Sequence, residues 1–194
     1  MTALRREDLF SLEEYARIRN DFRREVMAHK RDRKVCLGPN ATLYFEDLMT
    51  MKYQVQEMLR VERIFEEEGI REELEAYNPL IPDGNNLKAT FMLEYPEIDE
   101  RRQALAALKG VEDRVWVQVD GHDKVWAIAD EDLERESEEK TSSVHFLRFE
   151  LDQDMVAALK AGGALSMGID HQALQVALAP LPENNRQALV ADLA

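Results

Sequence analysis

At Leu87 the spacing of apolar residues changes from three and four to two, and that change decides which folds are open to the chain. Upstream, Tyr15, Ile18, Phe22 and Val26 recur at the spacing of an amphipathic helix, as do Leu48, Met51, Val55, Met58 and Leu59. Downstream, Leu87, Ala89, Phe91, Leu93 and Tyr95 alternate with Lys88, Thr90, Met92 and Glu94, as in a strand with one buried face. A chain that reads as helices first and strands afterwards belongs to the α+β class. The expectation is an N-terminal long-helix hairpin followed by a mixed, mainly antiparallel sheet with covering helices.

The predicted helices run from Leu12 to Lys34 and from Leu43 to Phe65, separated by the Gly38-Pro39-Asn40 break, with a shorter one over Ile70 to Tyr77. Further helices are expected at Glu97 to Leu108, Asp152 to Ala161 and Glu183 to Leu193. Arg114 to Val119 and Lys124 to Ala129 read as a hairpin about Asp120-Gly121-His122-Asp123, with Trp116 and Trp126 as a cross-strand pair. Strands are expected at Val144 to Leu151, Leu165 to His171 and Leu174 to Leu178. The acidic stretch Asp130 to Ser143 lacks an apolar period and reads as an exposed connection. Residues 1–86 form a helical region and residues 87–194 an α+β region, together one compact unit.

At 194 residues and 45% hydrophobic content the chain can bury a real core. Its formal net charge of −14 disfavours nucleic acid and anionic membrane surfaces as partners. No uncharged apolar stretch approaches the roughly 20 residues that span a bilayer, and no signal peptide is visible, so the chain reads as cytoplasmic. A single cysteine, Cys36, precludes an intramolecular disulfide and reads as a packed thiol between Val35 and Leu37. Within this acidic chain Arg17 to Lys34 is locally basic, and Arg23, Arg24 and Arg31 form a candidate docking face for an acidic partner.

On the second helix Glu46, Thr50, Tyr53, Glu57 and Arg60 share one side. An acid, a hydroxyl and a guanidinium on one face suit small-molecule or anion binding, with Glu46, Tyr53, Glu57 and Arg60 as the ligand set. Glu62 falls within the apolar stripe, where a carboxylate needs a partner. His29 lies near the apolar side of the first helix, so a hairpin could bring it to Glu62; His29, Glu57 and Glu62 are then candidate ligands for iron, manganese or zinc. His145 and His171, on different strands, could share the core side of one sheet. No P-loop, nucleophile elbow or His-Glu-x-x-His motif occurs. An apolar side on each long helix could also pack across a homodimer.

Several segments carry a family resemblance. Leu43 to Asp47, Tyr53 to Glu62, Ala76 to Pro82, His145 to Phe149 and Gly168 to His171 together resemble an uncharacterised bacterial family catalogued as a domain of unknown function. That family's genes often neighbour those of rubrerythrin-like proteins and iron–sulphur oxidoreductases. The resemblance therefore implies an accessory or interaction protein of a cytoplasmic redox or peroxide-defence system, with such proteins as partners. A metal-binding enzyme or sensor, and a small-molecule or anion-binding module, are the alternatives.

Overall fold

The computed structural model describes residues 3–132, 135, 137 and 139–194. Six α-helices and nine strands follow in the order α1 (Leu12–Arg31), β1 (Lys34–Cys36), β2 (Ala41–Phe45), α2 (Leu48–Val61), α3 (Glu67–Tyr77), β3 (Asn86–Leu93), α4 (Ile98–Ala107), β4 (Val115–Val119), β5 (Val125–Trp126), β6 (Ile128–Ala129), β7 (Val144–Glu150), α5 (Gln153–Lys160), β8 (Leu165–His171), β9 (Leu174–Leu178) and α6 (Glu183–Val190). The fold is α+β. Its strands form two sheets, ordered β1-β2-β3-β7-β6 and β5-β4-β8-β9, and every pairing is antiparallel.

The inner faces of the two sheets meet in one core. Leu87, Phe91 and Phe149 come from the first sheet and Val117, Leu165 and Met167 from the second, all buried. Helices α4, α5 and α6 cover the remaining openings with Leu105, Val156, Leu159 and Leu189. A second, separate core joins α2 to α3 through Met51, Val55, Leu59, Ile70 and Leu74, with Leu4 and Leu9 packed beneath. The helical layer thus lies over the outer face of the first sheet, and the space between them becomes the candidate site.

Two predicted boundaries shift. Leu43 to Phe65 is not one helix: Ala41–Phe45 is a strand, registered Leu43↔Phe91 and Phe45↔Ala89 against β3. Its Leu43 and Phe45 face the sandwich core while Tyr44 is half-exposed, an alternation hidden because helical spacing resumes immediately afterwards. The first helix likewise ends at Arg31, and Lys34–Cys36 pairs with Thr42–Tyr44 across a turn in which Gly38 adopts φ +91°. Strands from either side of residue 86 therefore share one sheet. The same alternation buries Val35 and leaves Cys36 exposed, contrary to a packed thiol.

The hairpin forms with Trp116 opposite Trp126, but its second strand divides: Val125–Trp126 joins β4, while Ile128–Ala129 crosses to β7. His145 and His171 consequently stand on different sheets, where His145 is fully buried and His171 Nε2 lies 2.9 Å from the Lys109 carbonyl oxygen.

Gly168 lets β8 and β9 close against Trp116. A Cβ at this position would sit 2.4 Å from the Val176 carbonyl oxygen and 2.5 Å from the Trp116 ring. Gly168→Ala is expected to destabilise the protein by about 1–3 kcal/mol, the usual cost of overpacking, measured by urea unfolding. An unchanged midpoint would show that the two strands can part without cost.

Candidate functional site

Glu46 follows the last residue of β2 and immediately precedes Asp47, the N-cap of α2. Its backbone N–H continues the ladder by donating to the Lys88 carbonyl at 2.9 Å, which fixes the side chain on the outer face of the sheet. Glu46 is 5% exposed. Its Oε1 accepts the Thr90 hydroxyl at 2.8 Å, whereas Oε2 has no hydrogen-bond partner among the described residues. Among the described residues the other buried side-chain polar atom in this condition is Gln56 Nε2, whose amide oxygen accepts the Phe10 N–H at 2.6 Å.

Glu46 stands where two lobes of a cleft join, together with Leu80 and Phe146. The larger lobe, about 340 Å³, has Ala76 and Pro79 on its helical side and Lys88, Ala89 and Arg148 on its sheet side. The smaller, about 320 Å³, runs between Met51, Gln54 and Tyr77 of the helices and Tyr44, Thr90 and Met92 of the sheet, with Lys30 also in its wall. The charges of the larger lobe are committed: Lys88 Nζ donates to the Pro79 carbonyl at 2.7 Å, and Arg148 binds Glu131 at 2.9 Å and also Glu150. Burial pushes the Lys88 ammonium below its ordinary range.

The rest of the predicted ligand face lies elsewhere. Glu57 accepts Tyr15 Oη at 2.7 Å and Arg19 Nε and Nη2 at 2.7 and 2.8 Å, and Arg60 Nη2 joins it at 3.1 Å. Tyr53 packs on Phe22 with ring centres 6.1 Å apart. Glu57 and Tyr53 clasp α2 to α1 while Arg60 braces Glu57 from its own helix, and only Glu46 enters the cleft. A ligand set assumed to share one helix is divided because Glu46 belongs to a strand.

The predicted metal ligands are also apart. Glu62 caps the C-terminus of α2 and is exposed, since the apolar stripe ends before it and Val61 is exposed as well. His29 Nε2 lies 2.6 Å from Asp47 Oδ2, in a knot where Arg33 binds Asp192 through both terminal nitrogens and reaches Asp47 at 3.1 Å. Burial pushes the Asp192 carboxyl upward, with Arg33 acting against it. Arg23, Arg24 and Arg31 are exposed along α1, with Arg24 bound to Asp21 at 2.9 Å.

Among the described residues one group of three holds metal-ligand atoms within 4.8 Å of one another: Glu112, Asp130 and His145. Asp130 Oδ2 lies 2.6 Å from His145 Nδ1, whereas Glu112 Oε2 lies 3.8 Å from Nε2, so the two carboxylates address opposite edges of the ring. Thr141 Oγ1 stands between them, 3.0 Å from His145 Nε2 and 3.1 Å from Glu112. Acid, imidazole and hydroxyl follow one another as in a nucleophile relay, but Thr141 is 1% exposed and within reach of Glu112 as its acceptor. The arrangement ties chain segments together. It buries Thr141 and half-buries Asp130 in the acidic stretch expected to be an exposed connection, while Glu131 and Asp132 are exposed; residues 133, 134, 136 and 138 of that stretch lie outside the described residues.

The sequence singles out Glu46 but sets it among helix neighbours that the structure places elsewhere, and it does not single out Asp130, Thr141 or Glu112. Alternation of Thr42 and Tyr44 with Leu43 and Phe45 was the available signal for the first; nothing in the spacing marks the second.

Comparison with known proteins gives a family and a relative. Residues 3–193 match the family described as "Protein of unknown function (DUF3501)". The chain is similar to a crystal structure of a novel protein of unknown function from Burkholderia pseudomallei K96243, with 51% identity, coverage of 100% of both chains and a TM-score of 0.94. No curated protein matches. Among the described residues no helix is long and apolar enough to cross a membrane.

The clasp supplies a pH test. Hydrogen bonds from Arg19, opposed by burial and aided by Arg60 and Tyr15, hold the Glu57 carboxyl down to about 2. A lowered carboxyl contributes stability that is present above its unfolded range, near 4.3, and is lost as pH falls toward 2. Urea midpoints of the wild type should therefore fall more steeply across that window than those of Glu57→Gln. Parallel profiles would show that Glu57 is not the titrating clasp.

Proposed function

We propose, for a chain that belongs to the DUF3501 family of proteins of unknown function, that it is a small-molecule-binding module whose ligand donates to Glu46 in the cleft between the helical layer and the first sheet. The observation that carries this reading is the second carboxylate oxygen of Glu46, buried and without a partner at the junction of two lobes. Leaving a buried acceptor unsatisfied costs about 1–3 kcal/mol, and more for a charged group. A fold keeps such a group when something else satisfies it, and violations of local rules gather at functional sites. Three of the surrounding cations are committed elsewhere: Arg33 is bound to Asp192, Arg148 to Glu131 and Glu150, and Lys88 to a carbonyl. The mostly apolar walls of both lobes suit a small organic molecule oriented by a few polar groups.

This reading separates stability from binding. Glutamine at position 46 keeps an oxygen for the Thr90 hydroxyl and removes the buried charge, so ligand-free Glu46→Gln should melt about 2–4 °C higher than the wild type, the shift that corresponds to roughly 1 kcal/mol at this size. In a thermal-shift panel of amines, amino acids and neutral aromatics, stabilisation of the wild type should be lost in the variant. A variant that melts lower without ligand, with ligand responses unchanged, would make Glu46 a structural carboxylate and overturn the proposal.

A further inference from the structure

We propose that the smaller lobe takes a zwitterionic amino compound with an apolar or aromatic side group, its ammonium on Glu46 Oε2 and its carboxylate on Lys30 Nζ. This rests on the cleft being a ligand site and names the chemical class of its ligand. Two charges of opposite sign line this lobe without an ion pair among the described residues. One is the Glu46 carboxylate, with one oxygen unmatched. The other is the half-buried Lys30, near the end of α1, whose ammonium makes no ion pair or hydrogen bond among the described residues. The two are not paired with each other: no contact within 4 Å joins them, although each borders the same space.

The remaining charge near Glu46 is already balanced. Arg33 feels its field, but the Arg33 guanidinium is 3% exposed and bound to Asp192 and Asp47. A simple organic cation would answer Glu46 and leave Lys30 unmatched beside a second positive charge. A simple anion would answer Lys30 and meet the carboxylate. A molecule that carries an ammonium and a carboxylate answers both, and each contact is a charge-assisted hydrogen bond.

The walls describe the rest of the ligand. Met51 and Met92 line the lobe from the helical and the sheet side, together with Tyr77 and with Phe146, whose ring carries the Arg135 guanidinium 4.7 Å from its centre. Thioethers adapt to irregular apolar shapes and contact aromatic rings favourably. Gln54, Tyr44 and Tyr77 add neutral polar side chains to the lining. At about 320 Å³ the lobe falls at the small end of ligand pockets, the scale of one amino acid rather than of a peptide.

The test is isothermal titration calorimetry of the full chain with three matched sets of probes: the apolar and aromatic amino acids, the amines that lack their carboxylate, and the acids that lack their ammonium. L-phenylalanine, phenethylamine and 3-phenylpropionate form one such set. At least one amino acid should bind tenfold or more tighter than both of its truncated forms. Lys30→Met should abolish its advantage over the amine, and Glu46→Gln its advantage over the acid, with unfolding curves confirming that both variants are folded. If the amine binds as tightly as the amino acid and Lys30→Met changes nothing, the zwitterion is overturned while the cleft remains a ligand site for a cation. If the acid alone binds, the zwitterion and the donor to Glu46 are both overturned. If nothing in the three sets binds, the zwitterion is overturned, and the thermal-shift panel then decides separately whether the cleft is a ligand site.

Discussion

The molecule is organised around β3, a strand whose two faces serve two different environments. Leu87, Ala89, Phe91 and Leu93 point into the sandwich between the sheets, and Lys88, Thr90 and Met92 point toward the helical layer. Because side chains alternate strictly along a strand, the register that buries Phe91 also places Thr90 beneath Glu46. A slip by one residue would expose the core and bury Lys88 and Met92 in its place. The sandwich therefore holds the floor of the cleft rigidly, and the residues above it come from a separately cored layer of helices.

The junction of β2 with α2 makes use of that floor. Three consecutive residues have three different tasks: Phe45 enters the sandwich, Glu46 enters the cleft, and Asp47 caps α2 by accepting the Thr50 N–H. Asp47 also draws in His29 and Arg33, and Arg33 reaches on to Asp192 near the end of the chain. Arg33 is thereby bound to Asp47 and Asp192, leaving Glu46 with a hydroxyl on one oxygen only. Its unmatched charge follows from how the neighbouring carboxylates are served.

Legibility in the sequence followed how local each signal was. The alternation from Leu87 onward needed no information from elsewhere, and β3 lies where it predicts. The strand over Ala41–Phe45 was obscured because its five residues adjoin a helix whose spacing absorbs Leu43, and its strand character comes from pairing with residues nearly fifty positions away. Helical spacing thereby places Glu46 on one helix with Tyr53, Glu57 and Arg60, although Tyr53 and Glu57 fasten α2 to α1 and Arg60 pairs with Glu57. Glu62 looked anomalous for a related reason, since an apolar stripe extended on paper continued past the real end of burial at Leu59. The separation of His145 from His171 depended on a strand dividing between two sheets at Ala127, which no periodicity reports.

The buried tie about His145 gains significance from the strand that carries it. On β7, His145 points to the interior while Phe146 points to the cleft, so holding one side chain positions the other. Asp130 reinforces this by accepting the Phe146 N–H at 2.9 Å with one oxygen while its other meets the imidazole. Asp130 adopts φ +49°, a conformation that side-chain-bearing residues seldom occupy and that surrounding contacts must maintain. Glu131 and Asp132, which follow directly, line the larger lobe. A polar network closed to solvent thus sets the position of one wall of the cleft, while its floor comes from the alternation of β3. Floor and wall about Glu46 are thereby fixed by interactions made outside the cleft.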